Sequence, residues 1–187
     1  MEKTINKTVK IKQNKYEEQS SKVSKTVIRR VIFTILSFVC MITIFLFSSR
    51  NADLSTQDSL SVGMTIGDIT IEDFEQWSEP DQIEFASSID HPVRKAAHFT
   101  EYTILGCLLF GAWYDKKHKM RAINQLLPII IGALYSCSDE MHQLFIAGRS
   151  GQITDILLDT SGVIFGVLLI SFILFIIHKG QRARKAH

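Results

Sequence analysis

Two uncharged stretches decide the fold of this chain: VIFTILSFVCMITIFLFSS at residues 31–49 and TSGVIFGVLLISFILFII at residues 160–177. An α-helix rises about 1.5 Å per residue, so each stretch comes close to crossing a hydrocarbon core about 30 Å thick. The formal net charge of the 187-residue chain is only +2, which taken alone would suit a soluble domain. The clustering of the apolar residues instead predicts membrane helices.

A signal peptide is the alternative interpretation of the first stretch. Its apolar run is long for the core of a signal peptide, no Ala-x-Ala cleavage site follows it, and about thirty residues precede it. We therefore predict that this stretch forms a retained membrane anchor.

Two weaker spans lie between these stretches. Residues 96–114 carry only two ionisable side chains, His98 and Glu101, and residues 121–140 include Pro128, which a transmembrane helix tolerates as a kink. A buried helix of a soluble domain is the alternative for each, but the apolar stretches on both sides favour membrane spans. We predict an all-α integral membrane four-helix bundle, with spans at about residues 29–49, 96–114, 121–140 and 153–177.

The distribution of charge predicts the orientation of the chain. Most of the 21 Lys and Arg residues lie in residues 1–30, in the short connection 115–121 or after residue 178, whereas the long connection 50–95 is acidic. Since cytoplasmic loops are enriched in basic residues, both termini are predicted to be cytoplasmic. The acidic connection is then an extracytoplasmic loop between helices 1 and 2, with enough apolar residues for short helices on the membrane surface.

These features divide the chain into three parts. Residues 1–26 are polar and rich in Lys, Gln and Ser, a composition typical of a disordered basic cytoplasmic tail. Residues 27–178 form the transmembrane domain, and residues 179–187 form a second basic cytoplasmic tail. Within the last span, Gly162 and Gly166 form a Gly-x-x-x-Gly pair, which predicts close packing against a neighbouring helix.

Polar residues gather at the outer ends of the predicted spans. A charged group at bilayer depth costs roughly 2.5–3.5 kcal/mol on insertion scales unless it is paired or hydrated, so several such groups indicate a functional cavity. Helical spacing places His98, Glu101 and Tyr102 on one face, and Asp155 and Asp159 on another. The predicted ligand-binding residues, drawn from three segments, are Arg94, Lys95, His98, Glu101, Tyr102, Asp139, Glu140, His142, Gln143, Arg149, Asp155 and Asp159.

A simpler interpretation stays open for the residues nearest the ends of the spans. Arg94, Lys95 and Arg149 have side chains long enough to extend their charges into the interface, and the ionisable residues at 139–142 can lie in water at a helix end. The deeper carboxylates lack that explanation, and they favour a functional site more strongly.

Three ordered motifs are similar to those of the VanZ-like family of small bacterial membrane proteins. They are RKAAHFTEYTILG at residues 94–106, SDEMHQLFIAGRSG at residues 138–151 and DILLDTSG at residues 155–162. The resemblance covers about residues 31–175 and implies a multi-pass protein of the bacterial plasma membrane. Because the family's namesake is associated with resistance to the glycopeptide teicoplanin, the resemblance also implies a role in such resistance at the cell envelope.

The first functional hypothesis is a binding protein of the cell envelope. Arg94, Lys95 and Arg149 would hold the phosphate of a membrane lipid or of a lipid-linked cell-wall precursor through charge-assisted hydrogen bonds. The carboxylates would orient these cations or contact sugar and peptide groups. No nucleic-acid partner is expected, and no cofactor or metal-binding residue is assigned.

The alternative is an intramembrane enzyme that modifies such a lipid. A histidine oriented by a carboxylate can act as a general base, and the same donor atoms can hold a divalent metal. A transport role is less favoured, because the inner halves of the predicted spans are apolar apart from Asn124 and Gln125. The candidate catalytic residues are His98, Glu101, Asp139, Glu140, His142, Asp155 and Asp159.

Overall fold

The structure is a computed structural model that describes residues 2–114 and 123–184. It confirms the all-α fold, since the described residues contain helices and no strand. The basic connection 115–121 and the end of the C-terminal tail, both used above to predict orientation, lie largely or wholly outside the described residues. The elements are α1 (Glu2–Ser48), α2 (Ala52–Thr70), a 3₁₀ turn (Phe74–Gln76), α3 (Glu79–Ser88), α4 (Asp90–Trp113), α5 (Ile123–Gln143) and α6 (Ile153–Ala183).

Two helices in the described part of the chain are long and apolar enough to cross a membrane. They are Val23–Ser48 within α1 and Ile153–Gln181 within α6, and they contain the two uncharged stretches that the sequence singled out, apart from Ser49. Large apolar side chains on both helices face outward, with Phe38 and Phe172 each 61% exposed. A soluble protein rarely exposes such a surface, whereas lipid would cover it.

The two weaker predicted spans form α4 and α5. Helix α4 packs against α1, α5 and α6, and α5 packs against α6 as well. Between these helices lies a core of fully or almost fully buried side chains: Ile44, Tyr102, Leu105, Leu109 and Val163. Helix α4 therefore holds the helices together, while α1 and α6 carry the largest apolar outer surfaces.

Helices α4 and α6 approach each other closely because glycines line their contact. A Cβ atom at Gly162 would lie 2.7 Å from the carbonyl oxygen of Phe99, and one at Gly166 would collide with the carbonyl oxygen of Thr103. This confirms the packing predicted from the Gly-x-x-x-Gly pair. Because the two contacts advance together along both helices, α4 and α6 run parallel, so both begin at the same end of the molecule.

The acidic connection between α1 and α4 is itself helical. Helices α2 and α3 pack against each other, and α2 also contacts α4. The backbone of Ala86 on α3 lies against Gly63, and the ring of Phe74 lies against Gly67, so both approaches use glycines of α2. The segment therefore forms helices, as its apolar residues predicted, and their position on the membrane surface stays a prediction.

The N-terminal segment differs from the prediction. Residues 2–26, for which we predicted a disordered tail, continue α1 toward its N-terminus. Neither Gly nor Pro occurs before Gly63, so no residue with a strong tendency to break a helix interrupts it. The described side chains of residues 13–25 are exposed, so this part of the helix depends on local propensity and on its continuity with the apolar span.

Candidate functional site

A cavity of about 340 Å³ lies where the end of α1, the start of α2, the start of α4 and the connection between α5 and α6 meet. Four of its lining residues are apolar, namely Phe47, Val62, Val93 and Ala97. The cavity therefore combines an apolar side with a dense set of charges. Its ionisable lining residues are Arg50, Asp58, Arg94, His98, Glu101 and Arg149.

Each arginine of the cavity is held by a neighbour but not fully paired. Arg50 forms an ion pair with Asp58. Arg94 donates from Nη2 to Asp90 Oδ2 at 2.7 Å, one turn back on α4. Arg149 donates from Nη1 to the side-chain oxygen of Gln143 at 3.3 Å, and its buried Nε has no hydrogen-bond partner in the described residues. The guanidinium groups thus retain donors for a ligand.

Arg149 is the cavity cation with the most unusual surroundings. Burial lowers the pKa of Arg149, and the neighbouring charge of Arg94 lowers it further, while Asp139 and Glu140 oppose the change. Arginine still stays protonated at neutral pH because its usual pKa is so high. An anion bound between Arg94 and Arg149 would relieve the repulsion between their charges.

A cluster of one partly exposed and two buried ionisable side chains lies beside the cavity. His98, Asp139 and Asp159 each offer one nitrogen or oxygen atom, and these atoms all lie within 4.8 Å of one another. His98 Nδ1 is 3.7 Å from Asp159 Oδ1. Asp139 is 2% exposed and Asp159 is 0% exposed. Since His98 also lines the cavity, this His–Asp–Asp cluster lies at the inner end of the cavity.

One oxygen of each buried carboxylate is held by a hydroxyl group. Ser48 at the end of α1 donates to Asp139 Oδ2 at 2.7 Å. Ser136, one turn before Asp139 on α5, donates to Asp159 Oδ2 at 3.1 Å. The other oxygen, Oδ1, of both aspartates is buried without a hydrogen-bond partner among the described residues.

Gln143 and Glu140 connect the cluster to Arg149. Gln143 donates from Nε2 to Asp139 Oδ2 at 3.3 Å and accepts from Arg149, so one amide joins the buried carboxylate to the cavity cation. Glu140 accepts a hydrogen bond from the backbone N–H of Gln152 at 2.9 Å. These contacts position the connection between α5 and α6, and with it Arg149.

Other predicted site residues lie elsewhere. Lys95 on α4 pairs with Asp155 on α6, and neither residue lines the cavity. His142 shares a 3.0 Å hydrogen bond with Ser49 Oγ and stacks on a phenylalanine ring of α1. Tyr102 is fully buried in the core and does not line the cavity, but its hydroxyl group lies near Ser136 and the two buried aspartates. The structure thus brings eight predicted residues together around the cavity and its cluster: Arg94, His98, Glu101, Asp139, Glu140, Gln143, Arg149 and Asp159.

Several residues of this region were not predicted as site residues, including Asp58, which pairs with Arg50 in the cavity. Arg50 belongs to the connection that the sequence marked only as acidic, and it lines the cavity. Ser48 and Ser136 bind the two buried aspartates. Ser136 could have been found from spacing, because it lies three residues before Asp139 on the polar face of α5. No such spacing links Ser48 to residues so distant in sequence.

The fold and the site define a class: a helical membrane protein with a charged cavity and a buried His–Asp–Asp cluster at one end of its packed helices. The sequence model of the VanZ/LLP1 family matches residues 33–175, so the chain belongs to that family. The matched segment contains every residue of the cavity and the cluster. A search of curated proteins and a search of solved structures each found no match.

Proposed function

We propose that the cavity binds the phosphate group of an anionic membrane lipid or of a lipid-linked cell-wall precursor. The observation that carries this proposal is the convergence of Arg50, Arg94 and Arg149 on one cavity. Guanidinium groups bind phosphate through short, charge-assisted and often bidentate hydrogen bonds. Donors that the protein's own carboxylates leave unused would make those bonds.

The size and lining of the cavity support a lipid head group as the ligand. Binding sites for small molecules commonly range from about 300 to 1,000 Å³, so a cavity of about 340 Å³ suits a head group and not a whole precursor. Phe47, Val62 and Val93 provide an apolar side along which the first methylene groups of a lipid chain could lie. The exposed apolar surfaces of α1 and α6 fit an entry route from the bilayer.

The proposal includes an orientation in the membrane. The chain would cross a bacterial plasma membrane four times, with both termini in the cytoplasm and the cavity at the outer face. The parallel direction of α4 and α6 supports this topology, because these helices would be the second and fourth of four alternating crossings, which must run the same way. By changing the amount or display of a precursor at the outer face, the protein would contribute to glycopeptide resistance of the teicoplanin type.

Arg94→Ala and Arg149→Ala test the binding function. Loss of one charge-assisted hydrogen bond to a ligand removes about 1.5–3 kcal/mol, so we expect at least about a tenfold drop in lipid occupancy for each variant. The measurement is native mass spectrometry of lipids that co-purify with the full-length protein, paired with glycopeptide susceptibility at equal protein level.

Arg30→Ala is the matched control, because Arg30 is an exposed arginine of α1 outside the cavity. It should retain both lipid occupancy and the resistance phenotype. If the two cavity variants bound lipid as well as the control does, the proposal would be wrong.

One observation favours catalysis as a second candidate function. His98 lines the cavity, and its Nδ1 faces Asp159 Oδ1 at 3.7 Å. A carboxylate in that place orients an imidazole for proton transfer to or from a bound lipid. Turnover of a labelled lipid precursor by the purified protein, lost in His98→Gln, would support an intramembrane enzyme, whereas binding without turnover would leave the binding function alone.

A further inference from the structure

The His–Asp–Asp cluster has the spatial arrangement of a metal site. Its three donor atoms come from three helices, α4, α5 and α6, and lie within 4.8 Å of one another. Two ligands at about 2.1 Å from a tetrahedral ion lie about 3.4 Å apart. The 3.7 Å between His98 Nδ1 and Asp159 Oδ1 is close to that value. Small side-chain rotations would bring all three atoms onto one ion.

Each residue of the cluster also has a buried donor atom that lacks a partner among the described residues. His98 Nδ1, Asp139 Oδ1 and Asp159 Oδ1 are all buried without a hydrogen-bond partner in the described part of the chain. Buried polar atoms are almost always satisfied, and leaving a neutral one unpaired costs about 1–3 kcal/mol, more for a charged group. Three such atoms in one cluster of side chains indicate a ligand that all three share.

The charge of the cluster requires compensation. Neither Asp139 nor Asp159 forms an ion pair with Lys or Arg within residues 2–114 and 123–184. Lys95 pairs instead with Asp155, and Arg149 binds Gln143. Two carboxylates this deeply buried strongly disfavour being charged side by side. A divalent cation between them would neutralise both and satisfy their free oxygens at once.

The surroundings of the carboxylates also resemble the support that metal ligands receive. Ser48 holds Oδ2 of Asp139, and Ser136 holds Oδ2 of Asp159, which leaves Oδ1 of each free. Hydrogen bonds to the atom that does not ligate orient a metal-binding side chain. The two serines therefore fix the carboxylates in the direction that an ion at the centre of the cluster needs.

We propose that His98, Asp139 and Asp159 bind one divalent metal ion through Nδ1 and one oxygen of each carboxylate. One imidazole and two carboxylates are a mixed donor set that suits Zn²⁺ or Mn²⁺ better than Ca²⁺ or Mg²⁺. Three protein ligands leave at least one coordination position for a molecule in the cavity. The site does not depend on the proposed lipid binding, because metal binding can be measured on the protein in detergent.

The test uses the full-length protein, first stripped of metal with a chelator. It is dialysed against equimolar Zn²⁺, Mn²⁺ and Mg²⁺, and bound metal is measured by elemental analysis. We expect about one Zn²⁺ or Mn²⁺ per chain, and at least about a tenfold loss of affinity in Asp159→Asn and Asp139→Asn. Asp155→Asn is the matched control, since Asp155 lies one turn away on α6 outside the cluster, and it should keep the metal.

A spectroscopic readout guards against variants that merely fail to fold. Mn²⁺ bound to the wild-type chain should show magnetic coupling to an imidazole nitrogen in pulsed electron paramagnetic resonance. His98→Gln should lose that coupling while the protein stays monodisperse. The proposal is overturned if stripped wild-type protein binds neither metal, or if the Asp139→Asn Asp159→Asn double variant binds as tightly as wild type. In those cases water or a shared proton satisfies the cluster.

Discussion

Two neighbouring regions between α4 and α6 hold their charges in different ways. Lys95 and Asp155 pair with each other directly, at half-buried positions near the start of both helices. One turn deeper, His98 and Asp159 lie 3.7 Å apart and leave buried atoms without partners. The first pair needs nothing else, whereas the second is complete only with a ligand. Equal spacing along a helix therefore does not imply an equal role.

The largest expected effect is a difference in how much added metal stabilises two variants, Asp155→Asn in the first region and Asp159→Asn in the second. At a metal concentration about 100 times the dissociation constant, binding stabilises the folded protein by about 2.7 kcal/mol. Asp155→Asn should gain this stabilisation as the wild type does, whereas Asp159→Asn, with an affinity at least about tenfold lower, should gain about 1.4 kcal/mol or less. Thermal unfolding in detergent, with and without Zn²⁺, measures the difference. Equal gains in the two variants would contradict it.

A second prediction concerns a substitution that pushes α4 away from α6 and so disturbs both regions together. The added methyl group of Gly162→Ala would lie 2.7 Å from the carbonyl oxygen of Phe99, and such overpacking destabilises by about 1–3 kcal/mol. Gly180→Ala is the control, because nothing lies within 4 Å of its added methyl group. Thermal unfolding should show a loss for the first variant and none for the second.

A third prediction concerns the hydroxyl groups that orient the cluster. Ser48→Ala and Ser136→Ala should weaken Zn²⁺ affinity by about tenfold without abolishing it, since each removes support from a carboxylate and not the carboxylate itself. Ser37→Ala is a matched control, because Ser37 is a buried serine of α1 whose hydroxyl group, among the described residues, donates to the carbonyl oxygen of Phe33 alone. Isothermal titration calorimetry with Zn²⁺ distinguishes the three, and a loss in Ser37→Ala equal to the others would refute the assignment.

The smallest effect is expected for the ion pair of Lys95 and Asp155. A double-mutant cycle with Lys95→Ala and Asp155→Ala should give a coupling free energy of about 1 kcal/mol or less, because partly exposed ion pairs contribute little. Metal binding should be unchanged in both variants. A coupling of several kcal/mol, or loss of metal, would show that this pair belongs to the site after all.

Much of the fold was predictable because local pattern alone determines it. Uncharged stretches of membrane length identified α1 and α6, and Gly162 and Gly166 identified a close helix contact. The structure of the N-terminal segment differs from the prediction. Its polar composition suggested disorder, whereas α1 continues through it. A polar composition shows that a segment has little apolar surface to bury and so would not fold by itself. A helix that continues from an apolar span, however, can form without burying its polar residues.

The candidate site was predictable as a set but not as an arrangement. His98, Asp139, Asp159 and Arg149 were all among the residues that the sequence marked. Lys95 and Asp155 were marked by the same reasoning, yet they pair with each other. Which polar residues meet depends on how each helix is rotated about its axis, and a single sequence does not specify that rotation.

By itself the sequence determined the helical fold, the two membrane-length helices and the end of the molecule where the charges gather. These depend on hydropathy and on spacing within one helix. Only the tertiary structure decided that Ser48 and Ser136 hold the two aspartates, that Arg50 joins the cavity, and which carboxylates stay without partners. These contacts join residues far apart in the chain, and they exist only once α1, α4, α5 and α6 are packed side by side.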